Sequence, residues 1–167
     1  MVNVEVKARV RDRAALLARI AALHARHEWT RRMRDTFFKV ARGWLKLREA
    51  DGAPAELIAY ERPSDAGGPR GSSWEAAPVA DPRALERTLA RVLPRDKVVA
   101  KERMLFLHGA TRIHVDRVDG LGDFIELETV VTTQPPDAAE RECAELMRAL
   151  ALEPGDLVGV PYRDLLP

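Results

Sequence analysis

Cysteine, aromatic residues and net charge are scarce in this chain of 167 residues, and each scarcity excludes something. A lone cysteine, Cys143, can form neither an intrachain disulfide nor a cysteine-ligated metal site. It lies in the apolar pattern of a late helix and reads as a small buried side chain. Lys and Arg number 27 against 26 Asp and Glu, a formal net charge of +1, which argues against a generally cationic nucleic-acid binder. Nowhere do about eighteen apolar residues run together, and no apolar run follows a basic amino terminus, so neither a spanning helix nor a secretory leader is expected. The expectation is a cytoplasmic protein with no nucleic-acid and no membrane partner. Repeats, low-complexity tracts and long linkers are also missing. Residues 1–167 are therefore read as one domain, large enough to bury most of its surface without disulfides or a structural metal.

What the chain does have is charge, 32% of its residues, set in a regular parity. Val2-Asn3-Val4-Glu5-Val6-Lys7 alternates apolar with polar residues and continues to Arg9. Leu45-Lys46-Leu47-Arg48 repeats the device, as do Ala100-Lys101-Glu102-Arg103-Met104, Arg112-Ile113-His114-Val115-Asp116 and Glu126-Leu127-Glu128. Successive side chains on a strand point to opposite faces, so the alternating charges of each run share one face.

The periodicity predicts a strand from Val2 to Arg11, then a helix capped by Asp12 and running to about His27, with Leu16, Leu17, Ile20 and Leu23 as its apolar stripe. Trp29 to Ala41, Trp44 to Ala50, Glu56 to Arg62 and Ser72 to Pro78 read as strands, separated by Arg42-Gly43, Asp51-Gly52 and the Gly/Pro-rich stretch Pro63 to Gly71. Asp81-Pro82 opens a second helix with Leu85, Leu89, Val92 and Leu93 inward and Pro94 just past its end. Strands follow at Lys97 to His108, Ala110 to Asp119 and Asp123 to Thr132, the last two joined by Gly120-Leu121-Gly122. A third helix starts near Pro136-Asp137 and carries Cys143, Leu146, Met147 and Leu150, and the partly apolar tail Leu157 to Leu166 should dock on the body. The fold class is α+β: about eight strands joined by short antiparallel-type turns, as a barrel or strongly curved sheet with helices outside. Two orientations are open. The charged faces point to water, or they line an interior while the helices cover an outward apolar face, which requires the buried charges to pair, hold metal or bind a charged ligand.

Read in order, several segments resemble the motif set of the CYTH superfamily, which includes class IV adenylyl cyclases, thiamine triphosphatases and inorganic triphosphatases. They are Asn3-Val4-Glu5-Val6-Lys7-Ala8-Arg9, Asp35-Thr36-Phe37-Phe38, Leu45-Lys46-Leu47-Arg48-Glu49, Lys101-Glu102-Arg103, Arg112-Ile113-His114-Val115-Asp116 and Gly120-Leu121-Gly122-Asp123-Phe124-Ile125-Glu126-Leu127-Glu128. The tail Tyr162-Arg163-Asp164-Leu165-Leu166 is similar to that of class IV cyclases. A Glu-x-Lys on a strand is common; the ordered set across the chain is specific. The resemblance implies the triphosphate tunnel fold, an eight-stranded antiparallel β-barrel with helices packed outside, whose interior binds a polyphosphate with one or two divalent ions, Mg²⁺ or Mn²⁺. It favours the inverted orientation.

The resemblance also implies roles. Lys7, Lys46, Arg48, Lys101, Arg103 and Arg112 become phosphate ligands, guanidinium groups binding oxygens bidentately and lysines acting as point charges, with Arg9 and Arg62 as weaker candidates. Glu5, Asp116, Glu126 and Glu128 become ligands of a hard, oxygen-preferring ion. Glu5, Asp116 and Glu126, with Arg103, form the implied catalytic set. Alternatively, Glu128 partners an arginine and Asp116 pairs with Arg112. His114 reads as a satisfied core or tunnel histidine. Trp29, Trp44 and Trp74 read as packing residues, none assigned to a nucleobase. Two positions depart from the family pattern: Asn3 stands where the signature has its first glutamate, and Arg62 follows Glu61 where relatives have a lysine before Gly-Pro. The implied reaction is conversion of ATP to cyclic AMP and pyrophosphate. The same tunnel serves equally for hydrolysis of an organic (thiamine or nucleoside) or inorganic triphosphate, and a non-catalytic polyphosphate or nucleotide binder is the third reading. The expected partner is a triphosphate-bearing small molecule such as ATP; the oligomeric state, a homodimer included, is left open.

Overall fold

The computed structural model describes residues 2–61, 73–131 and 136–167. The chain runs through β1 (Val2–Arg9), α1 (Arg13–Ala22), β2 (Arg26–Phe38), β3 (Trp44–Ala50), β4 (Ala53–Glu61), β5 (Ser73–Val79), α2 (Pro82–Leu89), β6 (Arg95–His108), β7 (Thr111–Val118), β8 (Gly122–Val131), α3 (Pro136–Ala149) and α4 (Tyr162–Leu165). The strands make one sheet in the order β1-β8-β7-β6-β2-β3-β4-β5, every neighbouring pair antiparallel. Short turns permit this order. Gly52, at φ +67, closes the β3–β4 turn in a conformation that side chains with a Cβ rarely adopt.

Strand parity decides which face meets the helices. Val4, Val6 and Ala8 of β1, Phe106 of β6, Ile113 and Val115 of β7 and Ile125 and Leu127 of β8 join Leu16 and Ile20 of α1 and Ala139, Cys143 and Leu146 of α3 in one buried core. Their charged neighbours point the other way, so the molecule adopts the inverted orientation. Asp12 caps α1 by accepting from the Ala15 N–H, and Asp81 caps α2 by accepting from the Ala84 N–H. Cys143 is fully buried, and burial pushes its thiol up to about 11, which leaves it inert.

The other face is concave. All eight strands contribute to one pocket of about 420 Å³. Neighbouring strands lie about 4.8 Å apart, so a flat eight-stranded sheet would hold its edges about 34 Å from each other. Glu5 of β1 and Trp74 of β5 line the same pocket only because the sheet curls strongly. Where a closed barrel is expected, however, no ladder joins β1 to β5 among the described residues. Part of the free edge of β1 is taken instead by the tail: the Val158 N–H donates to the Lys7 carbonyl at 2.8 Å, and Leu157 bridges Ala8.

One end of the concave face is filled by an apolar cluster of Phe37, Val99, Val118, Phe124 and Tyr162, with Leu165 and Leu166 packed against it. The tail thus docks as the sequence leads one to expect. Other expectations need correction. The first helix stops at Ala22, and β2 begins at Arg26 because His24 takes a left-handed conformation, φ 53, that ends the helix. Val92 is 76% exposed, since α2 ends at Leu89 and the chain turns away before Val92 can reach the sheet. Arg62, the stretch Pro63 to Gly71, Thr132 and the side chain of Asn3 lie outside the described residues.

Glu142 of α3 joins a helix to the β6–β7 turn: its Oε1 accepts from the Ala110 N–H at 2.9 Å and from the Thr111 hydroxyl at 2.7 Å. Glu142→Ala leaves a turn amide without its acceptor, and should cost about 1–3 kcal/mol. Denaturant unfolding should show a lower midpoint with an unchanged slope.

Candidate active site

The concave face is built from cross-strand charge pairs. Lys7 stands opposite Glu126 in the β1–β8 register, with Nζ 3.0 Å from Oε1. Arg103 stands opposite Asp116 in the β6–β7 register, with Nε 2.6 Å from Oδ1. The Arg103 Nη2 also reaches Glu126, and Lys101 Nζ lies 3.0 Å from Asp116 Oδ2. These five side chains are buried. A second knot lies across β2 and β3, where Asp35 faces Arg48: Oδ1 accepts from Nε and Oδ2 from Nη2, both at 2.8 Å, and Lys46 Nζ reaches Oδ2 at 2.9 Å. Five cations are thereby held by three carboxylates.

The surroundings set the proton affinities. Burial alone would raise the Glu126 carboxyl, but the charges of Lys7, Arg103 and Lys101 hold it well below the usual carboxylate range. Against the same penalty Arg103 and Lys101 bring Asp116 to about 2. Lys46 goes the opposite way: burial and the charge of Arg48 outweigh Asp35 and lower its ammonium to about 7. An anion entering the pocket would restore its proton. Burial also lowers His114, whose Nε2 sits 3.3 Å from Glu128 Oε2.

Glu5, Lys7, Lys46, Arg48, Lys101, Arg103, Arg112, Glu126 and Glu128 all line the pocket. Asp116 does not. It is fully buried behind the wall, with both oxygens engaged by Arg103 and Lys101, and its position is that of a brace, not of an accessible ligand. Arg112 pairs with Glu128, Nε to Oε2 3.7 Å, and not with Asp116. Arg9 is exposed at the rim, its guanidinium 5.0 Å above the Phe124 ring, because β1 ends there.

Several residues escaped sequence reasoning. Asp35 lies within a motif run, but its pairing with Arg48 and Lys46 is visible only once β2 is aligned with β3. Trp44, Tyr60 and Trp74 form a row across β3, β4 and β5, each directly opposite the next. Trp44 and Tyr60 stack at 5.3 Å and 15°, and Trp74 is 45% exposed on the pocket wall, so packing does not describe it. Tyr162 lines the same pocket.

Among the described residues no three His, Cys, Asp or Glu side chains form a ready-made metal cage. The donor set nevertheless fits a small hard cation. Glu5 faces Glu128 across β1 and β8, and Glu126 projects from the same face of β8 two residues away. An ion such as Mg²⁺ is held by one or two carboxylates and completes its shell with water and substrate phosphate.

A model of the CYTH domain family matches residues 1–160, and the chain belongs to that family. No curated protein sequence matches it. Among solved structures, a Pyrococcus horikoshii protein superposes with a TM-score of 0.89 at 20% identity, covering 99% of both chains. A Vibrio parahaemolyticus protein described as a "putative adenylate cyclase" gives 0.80 at 20% identity, over 99% of this chain and 97% of that one. A Hippeastrum protein, described as a "putative adenylyl cyclase" with a dominant triphosphatase activity, gives 0.66 at 16% identity, over 95% and 90%. At such identities the likeness establishes the fold.

Asp116→Asn takes the facing carboxylate charge from the buried Lys101 ammonium and leaves Arg103 with Glu126 alone, so it should destabilise by about 3–5 kcal/mol. Asp123→Asn, which loses a pair with the half-exposed Arg117, should cost under about 1 kcal/mol. Asp116 titrates near 2 when folded, below its ordinary 3.8. Its contribution is therefore complete above about pH 5 and is lost as pH falls towards 2. Urea midpoints measured across that range should show the acid slope flattened in Asp116→Asn.

Proposed function

We propose that this CYTH-domain protein binds a nucleoside triphosphate inside the curled sheet and converts ATP to cyclic AMP and pyrophosphate. The observation that carries the reading is a set of five cations, Lys7, Lys101 and Arg103 buried and Lys46 and Arg48 partly buried, that share three carboxylates on the concave face. Such an excess has use for a polyanion. Lys46 and Arg48 on β3 and Lys101 and Arg103 on β6 hold the phosphates from two sides, with Lys7 and Arg112 beyond them. Asp35 and Asp116 act as positioning residues that fix the two arginine forks before substrate arrives.

Glu5, Glu126 and Glu128 are the proposed holders of Mg²⁺ or Mn²⁺. When bound, the ion supplies charge stabilisation for the oxygens of the phosphate chain. In the reaction the ribose 3′-oxygen bonds to the α-phosphorus as the bond from that phosphorus to the bridging oxygen breaks. The hydroxyl proton passes to solvent, and the pyrophosphate leaves in the grip of the arginines and lysines.

Two features support an organic substrate and cyclisation. The row Trp44–Tyr60–Trp74 offers flat aromatic surface beside Lys46, whose Nζ lies 5.4 Å from the Tyr60 ring centroid. The two segments that favour a class IV cyclase, Leu121 to Phe124 and the tail, lie beside the site: Phe124 packs edge-on against Tyr162, and Tyr162 lines the pocket. Hydrolysis of the triphosphate is the second reading. It uses the same phosphate grip, and the triphosphatase activity described for the Hippeastrum neighbour favours it.

With ATP and Mn²⁺, phosphorus NMR should show cyclic AMP and pyrophosphate appearing in equal amounts. Lys46→Met, which deletes one preorganised charge and leaves Asp35 still paired with Arg48, should slow the reaction about a hundredfold. Orthophosphate with ADP as co-product would transfer the pocket to a hydrolase. Binding of ATP without turnover would leave a non-catalytic binder.

A further inference from the structure

The tail brings to the pocket wall a tyrosine whose buried hydroxyl nothing yet accounts for. Tyr162 is 7% exposed and lines the pocket, yet its hydroxyl has no hydrogen-bond partner among the described residues. Buried hydroxyls are almost always paired, and an exception asks for a reason. The Asp116 carboxylate approaches the hydroxyl and helps to raise its phenol, but no bond of ordinary hydrogen-bond geometry joins them; Asp116 is engaged by Arg103 and Lys101, and Glu126 by Lys7 and Arg103.

The ring itself is held firmly. It packs edge-on against Phe124 at 4.9 Å, with Lys7 Nζ 4.4 Å and Lys101 Nζ 5.0 Å from its centroid. The tail around it is tied down as well. Lys7 Nζ donates to the Val160 carbonyl at 3.3 Å, Lys97 Nζ to the Leu166 carbonyl at 2.7 Å, and Arg163 pairs with Asp96 at 2.7 Å. Burial, reinforced by the charges of Glu126 and Asp116, pushes the Tyr162 phenol well above its ordinary range, so it remains a proton donor.

We propose that the Tyr162 hydroxyl is a substrate-binding group, donating a hydrogen bond to a phosphate oxygen of the bound triphosphate between Lys7 and Lys101. The proposal rests on the triphosphate reading above and assigns the C-terminal segment a part in the site. An isolated neutral donor among cations suits this task. It adds a directional bond to an oxygen already attracted by charge, and its fixed ring means that little freedom is lost on binding.

Tyr162→Phe keeps the ring and both lysine contacts and removes only the hydroxyl. Calorimetry with inorganic tripolyphosphate and Mg²⁺ should then show affinity reduced about tenfold or more, the scale of a lost hydrogen bond to a charged group. Thermal unfolding of the ligand-free variant should show a melting temperature equal to or above that of the wild type, because an unsatisfied buried hydroxyl has been removed. A lower melting temperature with unchanged affinity would make the hydroxyl structural and overturn the proposal. So would unchanged affinity with unchanged stability. If the wild type itself binds no tripolyphosphate, the triphosphate reading falls and takes this proposal with it; binding undiminished in Tyr162→Phe removes this proposal alone.

Discussion

The fold depends on ion pairs formed where water is largely excluded. Arg103 bridges Asp116 and Glu126, Lys101 joins Asp116, and Lys7 joins Glu126, all within a few per cent of full burial. An unpaired charge at such depth would cost several kcal/mol, and pairing reduces that cost without cancelling it. The network also fixes register. A one-residue slip of β6 against β7 would place Arg103 among Val115 and Ile113 on the apolar face and strand Asp116. The helices α1 and α3 can cover the convex face only while these charges keep to the concave one.

That constraint leaves a positive surplus. Within this network five cations face three carboxylates; Glu5 and Glu128 on the same face reduce the surplus, and Lys46 relieves more of it by titrating near 7. The proposed substrate would complete the balance, and the pocket is in this sense preorganised for an anion. The tail closes one end of the same face and is fastened to Lys7 by both backbone and side chain. A residue gripping the proposed substrate thus also anchors the segment that carries Tyr162.

Much of this was legible in the alternation of the sequence. Glu5 with Lys7, Lys46 with Arg48, Lys101 with Arg103 and Glu126 with Glu128 share faces because parity along a strand is a local property, and all eight residues line the pocket. The errors arise where the answer is not local. Arg9 has the right parity but sits where β1 runs out. Asp116 shares its face with His114, and its depth behind Arg103 follows from the curl of the sheet. The row Trp44–Tyr60–Trp74 needs the registers of three strands before it exists at all. Closure of a barrel likewise depends on what covers the edge of β1, which is a segment about 150 residues later in the chain.

The central claim is that the charged concave face, and no other surface, receives the phosphate chain. A crystal structure of the protein with tripolyphosphate and Mn²⁺ tests it directly. The account predicts phosphate oxygens within hydrogen-bond distance of Lys46, Arg48, Lys101 and Arg103, with anomalous signal for Mn²⁺ beside Glu126. Phosphate bound on the outer, helix-covered side, or Mn²⁺ held away from Glu5, Glu126 and Glu128, would contradict it.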